Sequence, residues 1–89
     1  MKYNYVKRPY RAYVVQYNKG NEEEIIKILT GSNCEVSQYG ENCLMVHNRN
    51  SKPTIDHLKV GEYIRVGENG TVKVYRKIEG ILEKYERID

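Results

Sequence analysis

The sequence predicts a small α+β domain in which an antiparallel sheet, or a partly open barrel, packs with one short helix and ends in a short C-terminal helical turn. Two observations predict this class. Apolar residues recur at helical spacing in one segment after residue 21, whereas most other segments carry alternating or short apolar runs between turn residues. At 89 residues the chain has room for one hydrophobic core, so a single domain is expected over residues 1–89.

The first strand is expected over residues 11–17, where aromatic and β-branched side chains occupy alternate positions. Pro9 precedes this strand and marks its lower limit. The Asn18-Lys19-Gly20 segment then breaks the alternation, so the strand is expected to end before it.

One helix is expected after this break. Asn21 is placed to cap it, and the first turn, residues 22–24, puts negative charge at the positive end of the helix dipole. Its apolar residues share one face: Ile25, Ile28 and Leu29. Gly31 is expected to end the helix in the left-handed conformation.

Antiparallel strands are expected after the helix. Residues 34–38 and 43–47 are expected to pair around a Gly-Glu-Asn turn. Pro53 restricts the next apolar segment, residues 55–60, to a sheet edge or the start of a strand. The tail, residues 78–88, has apolar residues at roughly helical spacing and is expected to form one or two helical turns.

The hairpin over residues 63–75 is the best-defined element of the sequence. A three-residue loop, Glu68-Asn69-Gly70, places Val66 opposite Val72 and keeps the apolar side chains on one face. A two-residue turn would shift the register by one residue and mix the faces. Gly70 is then expected in the left-handed conformation that a three-residue hairpin loop requires.

Composition and charge exclude several functional classes. No segment approaches the roughly 20 apolar residues needed to cross a bilayer, and no apolar block follows the N-terminal positive charge as a secretory signal requires. A cytoplasmic location is therefore expected, where Cys34 and Cys43 would stay reduced. The net charge of +3 argues against a histone-like binder, although the bases before residue 22 form a basic N-terminal region.

Metal and nucleophile sites are not indicated. Zinc is bound by the residue types of Cys34, Cys43, His47 and His57, but structural zinc sites usually pair ligands two to four residues apart, unlike the two cysteines here. On one strand Cys43 and His47 would lie about 13 Å apart, too far for the imidazole to activate the thiol. We therefore expect no metal, no cofactor and no catalytic residue.

Four stretches of the chain agree in order and spacing with a known pattern. These stretches are Lys7-Arg8-Pro9 with Ala12 and Gln16, Asn21-Glu22-Glu23-Glu24-Ile25-Ile26, Val60-Gly61-Glu62-Tyr63-Ile64 and Leu82-Glu83-Lys84-Tyr85-Glu86. Over most of its length the chain resembles a family of small uncharacterised bacteriophage and prophage proteins with a Lys/Arg-Pro start, a Gly-Asp-Trp-Ile centre and a Phe-Glu-x-x-Tyr-Glu end. The resemblance implies a compact phage-derived viral protein in the bacterial host cytoplasm and assigns it no catalytic residue.

A protein partner is the first functional hypothesis. The small size, the nine tyrosines and the lack of a catalytic set favour a surface that binds another molecule. The phage resemblance implies a host protein as the partner, and the chain would modulate it, for example by inhibiting host defence. Because Tyr and Arg are enriched among interface anchors, the expected protein-binding residues are Tyr10, Tyr13, Tyr39, Tyr63 and Arg65.

A small nucleic-acid-binding regulator is the alternative. The N-terminal segment interleaves bases with tyrosines, so its cations could pair with phosphates while its rings stack on bases. The residues expected to bind nucleic acid are Lys2, Lys7, Arg8 and Arg11. Self-association as a homodimer through an unprotected sheet edge also stays open.

Overall fold

A computed structural model of the chain describes residues 3–7, 10–32, 34–38, 40–48 and 54–88. Its elements follow the chain in the order β1 (Tyr5–Lys7), β2 (Tyr10–Gln16), α1 (Glu22–Thr30), β3 (Cys34–Gln38), β4 (Cys43–Asn48), β5 (Thr54–Lys59), β6 (Tyr63–Gly67), β7 (Val72–Tyr75), α2 (Ile78–Leu82) and β8 (Glu86–Arg87). No helix within these ranges has the length and apolar character that crossing a membrane would require.

The strands form two antiparallel sheets. One has five strands in the order β7-β6-β2-β1-β8, and the other has three in the order β3-β4-β5. The sheets do not close into a barrel, and two short helices accompany them. The expected α+β class is therefore confirmed, with the antiparallel strands divided between two sheets.

The main core joins the two sheets and α1. Strand alternation places Ile64 and Val66 of β6 on one face, and α1 contributes Ile25 and Leu29 at helical spacing. The fully buried large side chains of this core are Tyr17, Ile25, Leu29, Leu44, Val46, Leu58 and Ile64, with Val66 almost as buried. Because α1 has only nine residues, this packing and not its own hydrogen bonds must hold it in place.

A second core covers the opposite face of the five-stranded sheet. There Ala12 and Val14 of β2 pack with Tyr5 of β1 and with two residues of the C-terminal segment, Ile81 and Tyr85. Three partly buried residues complete this core: Tyr63, Tyr75 and Ile78. The five-stranded sheet is therefore buried on both faces, and most of its tyrosines are used to cover the second one.

The chain ends meet in this sheet, which the sequence pattern did not predict. Strand β1 pairs with β8 through Tyr5 opposite Arg87 and Val6 opposite Glu86, so the expected helical turn is present at Ile78–Leu82 and an unexpected short strand follows it. Asn4 supports the pairing: its side chain accepts a hydrogen bond from Val14 N at 2.8 Å, and its backbone carbonyl accepts one from Ile88 N at 3.1 Å. The residues after α2 thus complete a sheet edge.

Helix α1 follows its expected course except at its ends. The Asn21 side chain forms no cap bond to the helix and instead accepts a hydrogen bond from Asn18 N at 2.8 Å. Gly31 has φ −79° and ψ −6°, so the expectation of a left-handed closing residue is wrong. The Ser32 N–H reaches Leu29 O at 3.0 Å, and this tight right-handed turn ends the helix without a left-handed residue.

The predicted hairpins are confirmed. Strands β3 and β4 pair with Cys34 opposite Asn48, so the two cysteines do not face each other. Strands β6 and β7 pair with Val66 opposite Val72 and Ile64 opposite Val74, the register that a three-residue loop imposes. Gly70 has φ +85°, as that loop requires.

The main core yields a prediction for α1. Leu29 is fully buried, so Leu29→Ala should lower the free energy of unfolding by about 2–5 kcal/mol, because it leaves a cavity between the helix and the sheets. Leu82 in α2 is 50% exposed and serves as the matched control, with an expected change within about 0.5 kcal/mol. Urea unfolding followed by circular dichroism measures both; equal losses would contradict the proposed packing.

The β6–β7 loop yields a second prediction. A Cβ atom at Gly70 would meet no atom within 4 Å, so the effect of substitution there comes from backbone conformation alone. Gly70→Val should lower the free energy of unfolding by about 1–2 kcal/mol, because the left-handed region is unfavourable for a β-branched residue. Gly70→Asn should cost less, since Asn tolerates this conformation. Thermal unfolding of the two variants checks the order, and the reverse order would contradict the assigned loop conformation.

Candidate functional site

One end of the five-stranded sheet carries a polar pocket of about 280 Å³. We call this surface the basic corner and define it by Lys7, Tyr10, Arg11, Arg65, Glu68 and Tyr85, which line the pocket. Three bases and one acid give this lining a net charge of +2. The corner therefore favours a negatively charged group.

Strand pairing explains why these residues meet. Lys7 pairs with Tyr10 across the β1–β2 hairpin, and Ala12 of β2 pairs with Gly67 of β6. The start of β2 thus lies beside the end of β6, and the tips of two hairpins, β1–β2 and β6–β7, share one end of the sheet. Tyr85 reaches the same place because the segment after α2 folds back over the second core.

Arg11 and Glu68 connect the two hairpin tips. The Arg11 guanidinium donates from Nε at 3.3 Å and from Nη2 at 3.2 Å to Oε2 of Glu68, and the Arg11 backbone N–H donates to Oε1 at 3.0 Å. Glu68 N donates in return to Arg11 O at 3.0 Å. Arg11 also lies over the Tyr3 ring, 5.0 Å from its centre. This charge is already paired, so its main role is to fix the shape of the corner.

Arg65 is the polar centre of the corner. Its Nη1 donates to the Tyr85 hydroxyl at 2.8 Å and its Nη2 donates to Thr71 Oγ1 at 3.3 Å. Its Nε atom is buried and has no hydrogen-bond partner among the described residues. The partly buried cation is therefore held in place by neutral hydroxyls, and its buried Nε–H donor is unused.

Tyr10 is the exposed aromatic residue of the corner, with 53% of its surface accessible. It begins β2, directly across from Lys7. A rigid ring beside a cation has the composition of an interface anchor, because a ring provides contact area at a low cost in side-chain entropy.

The structure brings together part of the expected protein-binding set. Tyr10 and Arg65 line the same pocket, while Tyr63 lies partly buried against the second core. Tyr13 lies on the opposite face of the sheet; burial raises the pKa of its hydroxyl, and the nearby carboxylate of Glu24 raises it further. Tyr39 lies outside the described residues. Strand alternation thus turns Tyr13 away from Arg65, and a binding role for Tyr13 stays a prediction.

Two of the four residues expected to bind nucleic acid lie in the same place. Lys7 and Arg11 line the basic corner, whereas Lys2 and Arg8 lie outside the described residues. One pocket thus combines two residues from each of the two expected sets. Arg11 is less available than expected because Glu68 pairs with it.

The cysteines are separated by the β3–β4 sheet. Cys34 is buried on the inner face, where burial raises the pKa of its thiol and Asp56 raises it further. Cys43 is partly exposed on the alternate side of β4 from the buried Leu44. Within the described ranges, no group of three or more His, Cys, Asp or Glu side chains is arranged to hold a metal ion.

Sequence reasoning missed Glu68, Thr71 and Tyr85. Glu68 begins the predicted loop and Thr71 follows it, but nothing in the sequence showed that this loop would approach Arg11. Tyr85 was expected in a helical tail, and its contact with Arg65 depends on the turn after α2. The short loop was a usable signal for the position of Thr71, because it returns the chain to the end of β6.

Removal of the Tyr85 hydroxyl tests how Arg65 is held. Tyr85→Phe leaves the Nη1 donor without its partner and should lower the free energy of unfolding by about 1–2 kcal/mol. Tyr75→Phe is the matched control, because the Tyr75 hydroxyl forms no hydrogen bond within the described residues and its ring belongs to the same core. We expect a change within about 0.5 kcal/mol for this control. Chemical unfolding compares the two, and equal losses would show that Tyr85 does not hold the guanidinium.

Comparison of the chain with protein-family models, with curated proteins and with solved structures found no match to any of them.

Proposed function

We propose that this chain is a small accessory protein that binds another protein through the basic corner and modulates it, without catalysing a reaction. The observation that supports this proposal is the meeting of Tyr10, Lys7 and Arg65 at one pocket on the tips of two hairpins. Aromatic and arginine side chains are the usual anchors of protein interfaces. The resemblance to phage proteins makes the proposed partner a protein of the bacterial host cytoplasm, for example a component of host defence.

The position of the tyrosines favours a protein over a nucleic acid. Binding of single strands needs exposed rings on which successive bases stack. On the five-stranded sheet, Tyr5 and Tyr85 are buried in the second core, and Tyr63 and Tyr75 pack against it. Tyr10 is the exposed ring of the corner. A single exposed ring suits contact with one side chain of a partner protein better than stacking with several successive bases.

A nucleic-acid-binding module remains the second proposal, because Lys7 and Arg11 line the corner as that hypothesis expects. It requires the phosphate backbone to supply most of the binding free energy, so affinity would fall steeply with salt. The corner offers few unpaired cations to contact successive phosphates, since Glu68 already neutralises Arg11.

Affinity capture from a bacterial lysate tests the proposal. Lys7→Ala with Tyr10→Ala should reduce capture of the partner by about tenfold or more, because it removes an exposed cation and the exposed anchor ring. Lys27→Ala with Ile55→Ala is the matched control: both residues are exposed, both lie outside the corner, and the pair also loses one cation and one large apolar side chain. Quantitative mass spectrometry of the captured proteins measures the difference.

Two outcomes would contradict the proposal. Equal capture by both double variants would show that the basic corner is not the interface. Capture that disappears after nuclease treatment, together with salt-sensitive binding of bare oligonucleotides at about 50 mM salt, would favour the nucleic-acid proposal.

A further inference from the structure

We infer that the pocket of the basic corner binds a phosphate monoester, with Arg65 and Lys7 as the cations that receive it. The inference rests on the proposed function, because it specifies which chemical group of the partner protein enters the corner: a phosphorylated side chain. It is carried by the unpaired charge of Arg65, the net charge of the pocket and the size of the pocket.

Arg65 is a cation without a counter-ion. It lies in the middle of β6, partly buried, and its two hydrogen bonds go to the hydroxyls of Tyr85 and Thr71. No acidic side chain of the described ranges pairs with it. Burying a charge is unfavourable unless it is paired, so a partly buried guanidinium held only by neutral groups indicates a position for an anion from outside. The guanidinium carries five N–H donors, and its hydrogen bonds to Tyr85 and Thr71 use only two of them, one on Nη1 and one on Nη2.

The charge of the pocket matches a dianion. Arg11 and Glu68 form an ion pair and cancel each other, which leaves Lys7 and Arg65 as the two cations of the lining that have no ion-pair partner among the described residues. A phosphate monoester carries about −1.5 to −2 at pH 7, whereas a carboxylate and a phosphodiester each carry one negative charge. Of these three groups, the monoester is the one that neutralises both cations.

The donors and the space also suit a phosphate. The guanidinium is planar and donates several hydrogen bonds, and the three oxygens of a phosphate monoester are strong acceptors. At about 280 Å³ the pocket lies just below the roughly 300–1,000 Å³ typical of sites for drug-sized ligands. It is therefore large enough for one phosphate with the atoms next to it, and not for a whole nucleotide chain.

A second, larger pocket lacks the excess of positive charge that the corner has. A pocket of about 350 Å³ lies between β5 and β7. Its charged lining combines two acids with two bases: Asp56, Glu62, Lys59 and Arg76. The formal charges of this lining sum to zero, so the pocket favours neither an anion nor a cation, although it is larger than the one at the corner.

Nuclear magnetic resonance of the full chain with phenyl phosphate and benzoate as probes tests the inference. The two probes share a ring and differ in the anionic group. Phenyl phosphate should move the Arg65 side-chain Nε–Hε signal and the backbone amides of Gly67 and Thr71 in a saturable way. We expect it to bind about tenfold or more tightly than benzoate, because it pairs with both cations and accepts more hydrogen bonds.

Three variants accompany the titration. Arg65→Lys keeps the positive charge but loses the planar donor set, and should weaken phenyl phosphate binding about tenfold or more. Lys7→Ala removes an exposed side chain, so it should leave the fold intact and weaken binding about threefold or more. Arg76→Lys makes the same change at an exposed arginine outside the corner and should leave binding unchanged.

The outcomes separate this inference from the proposed function. If the probe leaves the Arg65 signal in place, or if benzoate binds as tightly as phenyl phosphate, the phosphate inference is overturned, while capture that depends on Tyr10 would still support protein binding. If phenyl phosphate binds and phosphatase treatment of the lysate abolishes capture of the partner, the inference is supported. If phenyl phosphate binds but capture survives the phosphatase, the partner does not supply the phosphate, and that part of the inference fails.

Discussion

The pairing of β2 with β6 is the constraint on which the rest of the structure depends. It joins residues about fifty positions apart in the chain and makes β2 the central strand of the five-stranded sheet. Because Tyr13 pairs with Val66 and Ala12 with Gly67, the same register assigns alternate residues of β2 to opposite cores. A shift of one residue would exchange the two faces and would also move the β1–β2 tip away from the β6–β7 loop.

A sheet buried on both faces leaves little room for chemistry except at the ends of its strands. Ile64 and Val66 occupy one face of β6 in the main core, and the tyrosines and α2 cover the other face. Short chains bury a limited fraction of their surface, and within the described residues most of the large apolar side chains belong to the two cores. Tyr10 at the tip of a hairpin and the basic side chains around it are among the exposed side chains that remain available for binding.

The sequence predicted local features well and long-range features poorly. The register of the 63–75 hairpin and the conformation of Gly70 follow from a loop of three residues, because turn geometry alone determines them. Strands β1 and β8 contain three and two residues and pair with each other across nearly the whole chain, so no local pattern marks them. Likewise, Arg65 and Lys7 were assigned to two separate sites, since only the pairing of β2 with β6 shows that they share a pocket.

Arg65 illustrates a conflict between stability and binding. An apolar residue at this position in β6 would extend the second core, and replacing a buried charge by an apolar group of similar size is often neutral or stabilising. The chain instead holds a guanidinium there with two hydroxyls and leaves the Nε donor unused. The ion pair of Arg11 with Glu68 fixes the two hairpin tips beside it, so little further ordering is needed when an anion arrives. A cation arranged in this way contributes little to the fold by itself, and its position makes physical sense as one half of an interaction that a binding partner completes.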